Sequence, residues 1–161
     1  MSRSFALAGS AALLLGVAAA QAQTFEKKNY TYSEWAKGRF SEAVTVNVSS
    51  PAKMIFLAGV GAENENGQAG DILYKGDVAA QCKYAFDKIE RELEKNGADL
   101  SDIVKMVTYL TDMRASPDFG KCRQETFGTI PMPAHTLLSI SQLAWPGMLI
   151  EIDVTAMVPL K

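Results

Sequence analysis

The sequence predicts an α+β domain in which a single mixed β-sheet carries two helices on one face. Three features carry that reading: runs at period two that suit half-buried strands, two stretches at helical spacing, and their alternation in the order β-β-α-β-α-β-β. Ala43 to Val48 sets Val44, Val46 and Val48 against polar neighbours. Lys53 to Val60 is rich in β-formers, and Ser49 to Ala52 between the two runs reads as the turn of a hairpin. Ala62 to Gly70, rich in Asn, Glu and Gly, is a surface loop that leads to a short Ile72-Leu73-Tyr74 segment. Asp77 is a natural N-cap for a helix with Val78, Cys82, Ala85, Phe86, Ile89 and Leu93 on one face, closed by Asn96-Gly97. Its other face mixes Lys, Arg, Asp and Glu and needs no ligand to explain it. Ile103 to Leu110 is a strand with Val104, Met106, Thr108 and Leu110 on one side. A second helix follows from about Ser116 to Phe127, with Pro117 in its first turn. His135 to Ile140 and Met148 to Val158 are the closing strands, around a turn at Ala144 to Gly147. The helix-free face of such a sheet is apolar enough to call for cover by another subunit.

At 161 residues the chain has room for one domain and one core. Residues 1–22 combine Arg3, an apolar run from Phe5 to Ala20 and a small-x-small end at Ala20-Gln21-Ala22. They read as a cleaved export signal that leaves residues 23–161 as a single domain, periplasmic or secreted, with no membrane attachment after cleavage. The run is short of the roughly 20 residues a spanning helix needs. The formal charge is −2, and there is no basic cluster, which argues against nucleic acid as a partner. An oxidising compartment would permit a bridge between Cys82 and Cys122. Cys82 is in phase with the apolar face of the first helix and Cys122 with Phe119 and Thr126, so each is expected to be a small core hydrophobe instead. One histidine and no Cys-x-x-Cys pair give no metal site. Gly59-Val60-Gly61 is too short for a dinucleotide fingerprint, and no Gly-x-Ser-x-Gly elbow occurs, so neither a nucleotide cofactor nor a serine triad is expected.

Several stretches resemble the RidA family (reactive intermediate deaminase, YjgF-like). They are Asp77 to Cys82 with Ala98 to Asp112, Pro133-Ala134-His135-Thr136, Leu149 to Ala156, Phe40 to Ala43, and Ala58-Gly59. The resemblance implies a homotrimer of chorismate-mutase-like appearance with pockets at the subunit interfaces that admit small carboxylates. In well-known members those pockets hydrolyse imines and enamines such as 2-aminoacrylate to 2-oxo acids and ammonia, without a cofactor. The family grips the substrate carboxylate with the Arg of a Pro-Ala-Arg motif, and the matching residue here is His135. Imidazole cannot reproduce the guanidinium fork. The pocket Tyr is matched by Phe40, the strand-end Ser by Ala58, and the Cys two residues after the Arg by Leu137, each swap removing a polar group. Gly59 and Glu151 are retained. The family pattern places Glu151 near the reacting water, so it is the catalytic candidate, with His135, Gly59, Phe40, Ala58 and Leu137 as substrate-binding candidates. Two functions stay open on these residues: a small-molecule deaminase, or a non-catalytic ligand-binding trimer with a respecified pocket. Another arginine, Arg39 or Arg123, could enter the pocket from a neighbouring chain.

Overall fold

The computed structural model describes residues 24–160; the expected signal segment, 1–22, lies outside the described residues. Six strands and two α-helices follow in order: β1 (Phe25–Tyr30), β2 (Ala43–Val48), β3 (Ala52–Phe56), α1 (Val78–Lys95), β4 (Ile103–Leu110), α2 (Ser116–Phe127), β5 (Ala134–Ser139) and β6 (Ile150–Pro159). The α+β class with a mixed sheet and two helices stands. The main sheet runs β3-β6-β4-β5, with β4 and β5 parallel and the other pairs antiparallel.

α1 forms where its periodicity and caps require. Asp77 accepts from the Ala80 amide at 2.9 Å, and Gly97 leaves the helix at φ +72°, a left-handed turn that glycine takes at little cost. Its buried face (Cys82, Ala85, Phe86, Ile89 and Leu93) packs on the inward residues of β6, Ile150, Ile152, Val154 and Ala156. Phe86 meets Phe127 of α2 edge-on at 5.9 Å. Each such fully buried apolar side chain contributes about 1.5–3 kcal/mol. A second small core of Ala62, Ile72, Leu143 and Met148 lies under the loops. There the buried side chain of Gln81 reaches the carbonyls of Leu73, Tyr74 and Gly147 and accepts from the Leu149 amide at 2.8 Å.

The strand pairing departs from the sequence reading in three places. The expected hairpin between residues 43–48 and 53–60 does not form: β2 pairs with β1, and β3 pairs with β6. β1 was not foreseen, because Phe25–Tyr30 is largely charged and polar, the composition of a protected edge and not of a core strand. In the sheet, β4 lies between the two closing strands, β5 and β6. Finally, a bulge between Ile103 and Lys105 turns Ile103 into the core beside Met106, and Val104 is displaced from the buried side. The two-stranded β1–β2 ladder joins the main sheet through a bridge between Ser41 and Ala134, and Lys27 of β1 donates to the Ile103 carbonyl of β4 at 2.7 Å.

Cys82 and Cys122 form a disulfide that ties α1 to α2. Both are also buried, so the expectation of core packing was right about place and wrong about pairing. The helical phase that drives each cysteine inward is what brings the two sulfurs face to face.

Candidate functional site

Side chains alternate along a strand, so the sheet sorts the candidate residues by face. His135 and Leu137 of β5 lie level with Met106 and Thr108 of β4, and Met106 and Thr108 with Val154 and Ile152 of β6: this is the helix-covered face. Glu151, Asp153 and Thr155 point the other way, with Tyr109, Val107 and Lys105.

On the covered side, a cleft of about 800 Å³ opens between α2, β5 and the segment that follows the 3-10 turn at Glu34–Ala36. Trp35, Phe40 and Phe119 supply its rings, with Phe40 edge-on to Trp35 at 5.3 Å. Its charged walls are Arg39, Lys121 and Arg123, and no carboxylate lines it among the described residues. His135 and Leu137 complete it. The His135 ring stands 5.6 Å from Phe119 and 6.4 Å from Phe40. Its Nδ1 is 2.9 Å from Nη1 of Arg123, and its Nε2 is 3.1 Å from the Thr108 hydroxyl. Arg123 in turn lies over the Phe119 ring, 5.2 Å from guanidinium carbon to centroid. Burial, then the charges of Arg123 and Lys105, push the His135 pKa from 6.5 down to about 3. Burial and the nearby Arg39 also lower that of Arg123.

On the bare side, Glu151 packs against Gly59. A Cβ on Gly59 would fall 2.2 Å from the Glu151 carboxyl oxygen, so the close approach that Gly59 permits is to Glu151. Burial, then Glu63 and Asp153, raise the Glu151 pKa above its usual 4.5. Tyr109 donates to Asp153 at 3.1 Å, and Lys88 is paired with Glu63 at 3.2 Å. Ala58 is exposed beside Gly59, and neither lines the cleft.

The six candidates therefore form two groups within one chain. His135, Phe40 and Leu137 meet in the cleft, while Glu151 and Gly59 meet on the opposite face of the sheet with Ala58 next to them. Arg123 reaches the cleft from its own chain, where the sequence reading allowed it only from a neighbour. Thr108 was placed only on one side of its strand, with no role at the site. The available signal was helical spacing: Arg123 stands four residues after Phe119, on the same flank of α2.

The chain matches the family described as Endoribonuclease L-PSP over residues 31–158. It belongs to that family, the YjgF/Rid group. Among curated relatives, a RutC family protein of Pyrococcus abyssi is 32% identical over 120 residues, covering 74% of this chain and 86% of its own length. Protein DfrA of Myxococcus xanthus is 32% identical over 124 residues, with 75% and 86% covered. Among solved structures, the Rid-family protein YyfB of Yersinia pestis superposes with a TM-score of 0.67 at 25% identity, covering 82% of this chain and 98% of that one. A YjgF-family member from Neisseria meningitidis gives 0.56 at 26% identity, covering 84% and 97%. The Rid-type fold thus accounts for nearly all of the described residues.

Proposed function

We propose that this Rid-family protein binds small carboxylates in the cleft between α2 and β5. The observation that carries the reading is the charge of that cleft: Arg39 and Arg123 face it together with Lys121, which lies 3.9 Å from Glu125 outside the lining, and among the described residues no carboxylate lines it. A guanidinium beside aromatic rings suits a small planar anion, which it can meet with two parallel hydrogen bonds. An RNA substrate, as the family's description would suggest, needs a surface that tracks phosphates, and the formal charge of −2 without a basic cluster does not favour one.

In this reading the protein is a homotrimer, exported after loss of residues 1–22, with its ligand site completed at a subunit interface. Self-association is supported by the bare face of the sheet, where Met54, Phe56 and Leu138 are exposed. Export is supported by the Cys82–Cys122 disulfide, which suits an oxidising compartment. A second reading, hydrolysis of imines or enamines, is favoured by Glu151: a carboxyl that keeps its proton to higher pH is a better proton donor and acceptor for a reacting water. It requires a neighbouring subunit to present Glu151 to the cleft.

Calorimetric titration with 2-oxobutanoate tests the binding reading. The mature protein should bind it, and Arg123→Gln should weaken binding by about ten- to a hundredfold, the loss expected for one charge-assisted contact. Absence of binding by the unaltered protein would defeat the reading. Ammonia release from freshly generated 2-aminoacrylate, compared between the unaltered protein, Glu151→Gln and a blank, decides whether binding is accompanied by turnover.

A further inference from the structure

We propose that Arg123 on α2 is the ligand anchor of this chain and that His135 is a positioning residue that holds the Arg123 guanidinium through the lone pair of a neutral Nδ1. The proposal rests on the carboxylate reading of the cleft and assigns the residues that perform it.

A guanidinium only donates, so in the 2.9 Å contact between Arg123 Nη1 and His135 Nδ1 the imidazole must accept. The ring proton is then on Nε2, where it donates to the Thr108 hydroxyl at 3.1 Å. Thr108 is fully buried, so the partner that fixes the tautomer is itself fixed. The chain thus spends its only histidine as a hydrogen-bond acceptor for an arginine. Surrounding cations keep that acceptor free of a proton: Arg123 and Lys105 both disfavour imidazolium, and burial does so more.

The guanidinium is held by two contacts. His135 takes one Nη1 hydrogen, and Phe119, itself buried, supports the plane from below. Arg123 Nε is enclosed and has no partner among the described residues. What remains for a ligand is the other Nη1 hydrogen and both Nη2 hydrogens, a fork that matches the two oxygens of one carboxylate. No ion pair to Arg123 occurs among the described residues, so the ligand brings the counter-charge.

Placing arginine at position 135 would set two guanidinium groups, both obligate donors, where one donor and one acceptor now meet. His135→Arg should therefore damage the site while Arg123 is present, and Arg123→Gln should relieve that damage in the double variant by removing the repelling charge.

Two measurements on the mature full-length protein test this. Because there is a single histidine, one pair of imidazole ¹⁵N resonances reports directly on His135. The expected spectrum is the neutral Nε2–H tautomer, unchanged down to about pH 4, with an upward move of the titration in Arg123→Gln. An Nδ1–H tautomer, or titration at an ordinary histidine pH, overturns the proposal whether or not any ligand binds. The second is 2-oxobutanoate affinity across variants of confirmed melting temperature. His135→Leu should lose about tenfold or more, and His135→Asn, whose amide oxygen can take the place of Nδ1, should recover most of it. His135→Arg should bind worse than the unaltered protein and worse than His135→Arg combined with Arg123→Gln. Unchanged affinity in His135→Leu, or improved affinity in His135→Arg alone, overturns the positioning role. If the unaltered protein shows the expected ¹⁵N spectrum but binds no 2-oxobutanoate, the carboxylate reading fails and the anchor role of Arg123 falls with it.

Discussion

On the helix-covered side of the sheet, His135 stands among the cations Arg123 and Lys105 and is driven to its neutral form. On the bare side, Glu151 stands among the carboxylates Glu63 and Asp153 and is also driven toward its neutral form. Burial is the largest cause in both cases, and neighbours of like charge reinforce it. The two sites differ in support. His135 has a partner for each ring nitrogen, and one of those partners is buried, whereas Glu151 is partly buried and packs on a bare glycine backbone. One face therefore holds a neutral imidazole bonded at both ring nitrogens, and the other a carboxyl of raised pKa packed against a glycine.

The strongest way to break the contrast is to remove the disulfide. Cys82 and Cys122 are 40 residues apart in sequence, and loss of a cross-link of that span costs about 4 kcal/mol through the chain entropy of the unfolded state. Denaturant unfolding of Cys82→Ala/Cys122→Ala should show a loss approaching that size. Hydrogen exchange should rise in α2, which carries Arg123, well before it rises in β6, which carries Glu151. An equal rise in both would show that the faces are not separately supported.

Acid comes next. The folded-state pKa of His135, about 3, is below its ordinary 6.5, so the unfolded chain binds the extra proton first. Stability should fall as pH drops from about 6.5 toward 3, by at most about 1.4 kcal/mol per pH unit from this one group. Glu151 has the opposite sign: its raised pKa favours the fold at low pH and loses that contribution as pH rises through it. Unfolding of His135→Gln at pH 7, 5 and 4 should show a shallower acid slope than the unaltered protein; identical slopes would mean that His135 is protonated normally in the fold.

The smallest effect sharpens the bare side. In Gly59→Ala the new methyl would displace only the far end of a flexible side chain, so stability should change by less than about 1 kcal/mol. The Glu151 carboxyl, pushed outward, should titrate lower by ¹³C NMR. A large loss of stability instead would mean that Gly59 is needed by the backbone.

The helices were legible because period and punctuation agreed: Asp77 and Asn96-Gly97 bracket α1 where the structure ends it, and Pro117 opens α2. Strand partners were not, since alternation fixes which face a residue takes and says nothing of the neighbouring strand. That is how β2 came to be paired with β3. The candidate site was half legible. Matching motifs residue by residue found His135 and Glu151 but could not show that the guanidinium missing from β5 is present on α2. A contact between a helix and a strand 12 residues apart depends on how the helix is seated, which no single run of sequence reports.

Gln81 bears on how the loops around the second core move. Among the described residues no ladder joins the segment that carries Leu73 and Tyr74 to the one that carries Gly147 and Leu149, and one buried amide bonds to both. If either segment lifts away, the Gln81 amide loses partners it cannot replace inside the fold. Two stretches some seventy residues apart thus share one anchor on the first helix, and their amides should exchange with solvent at similar rates.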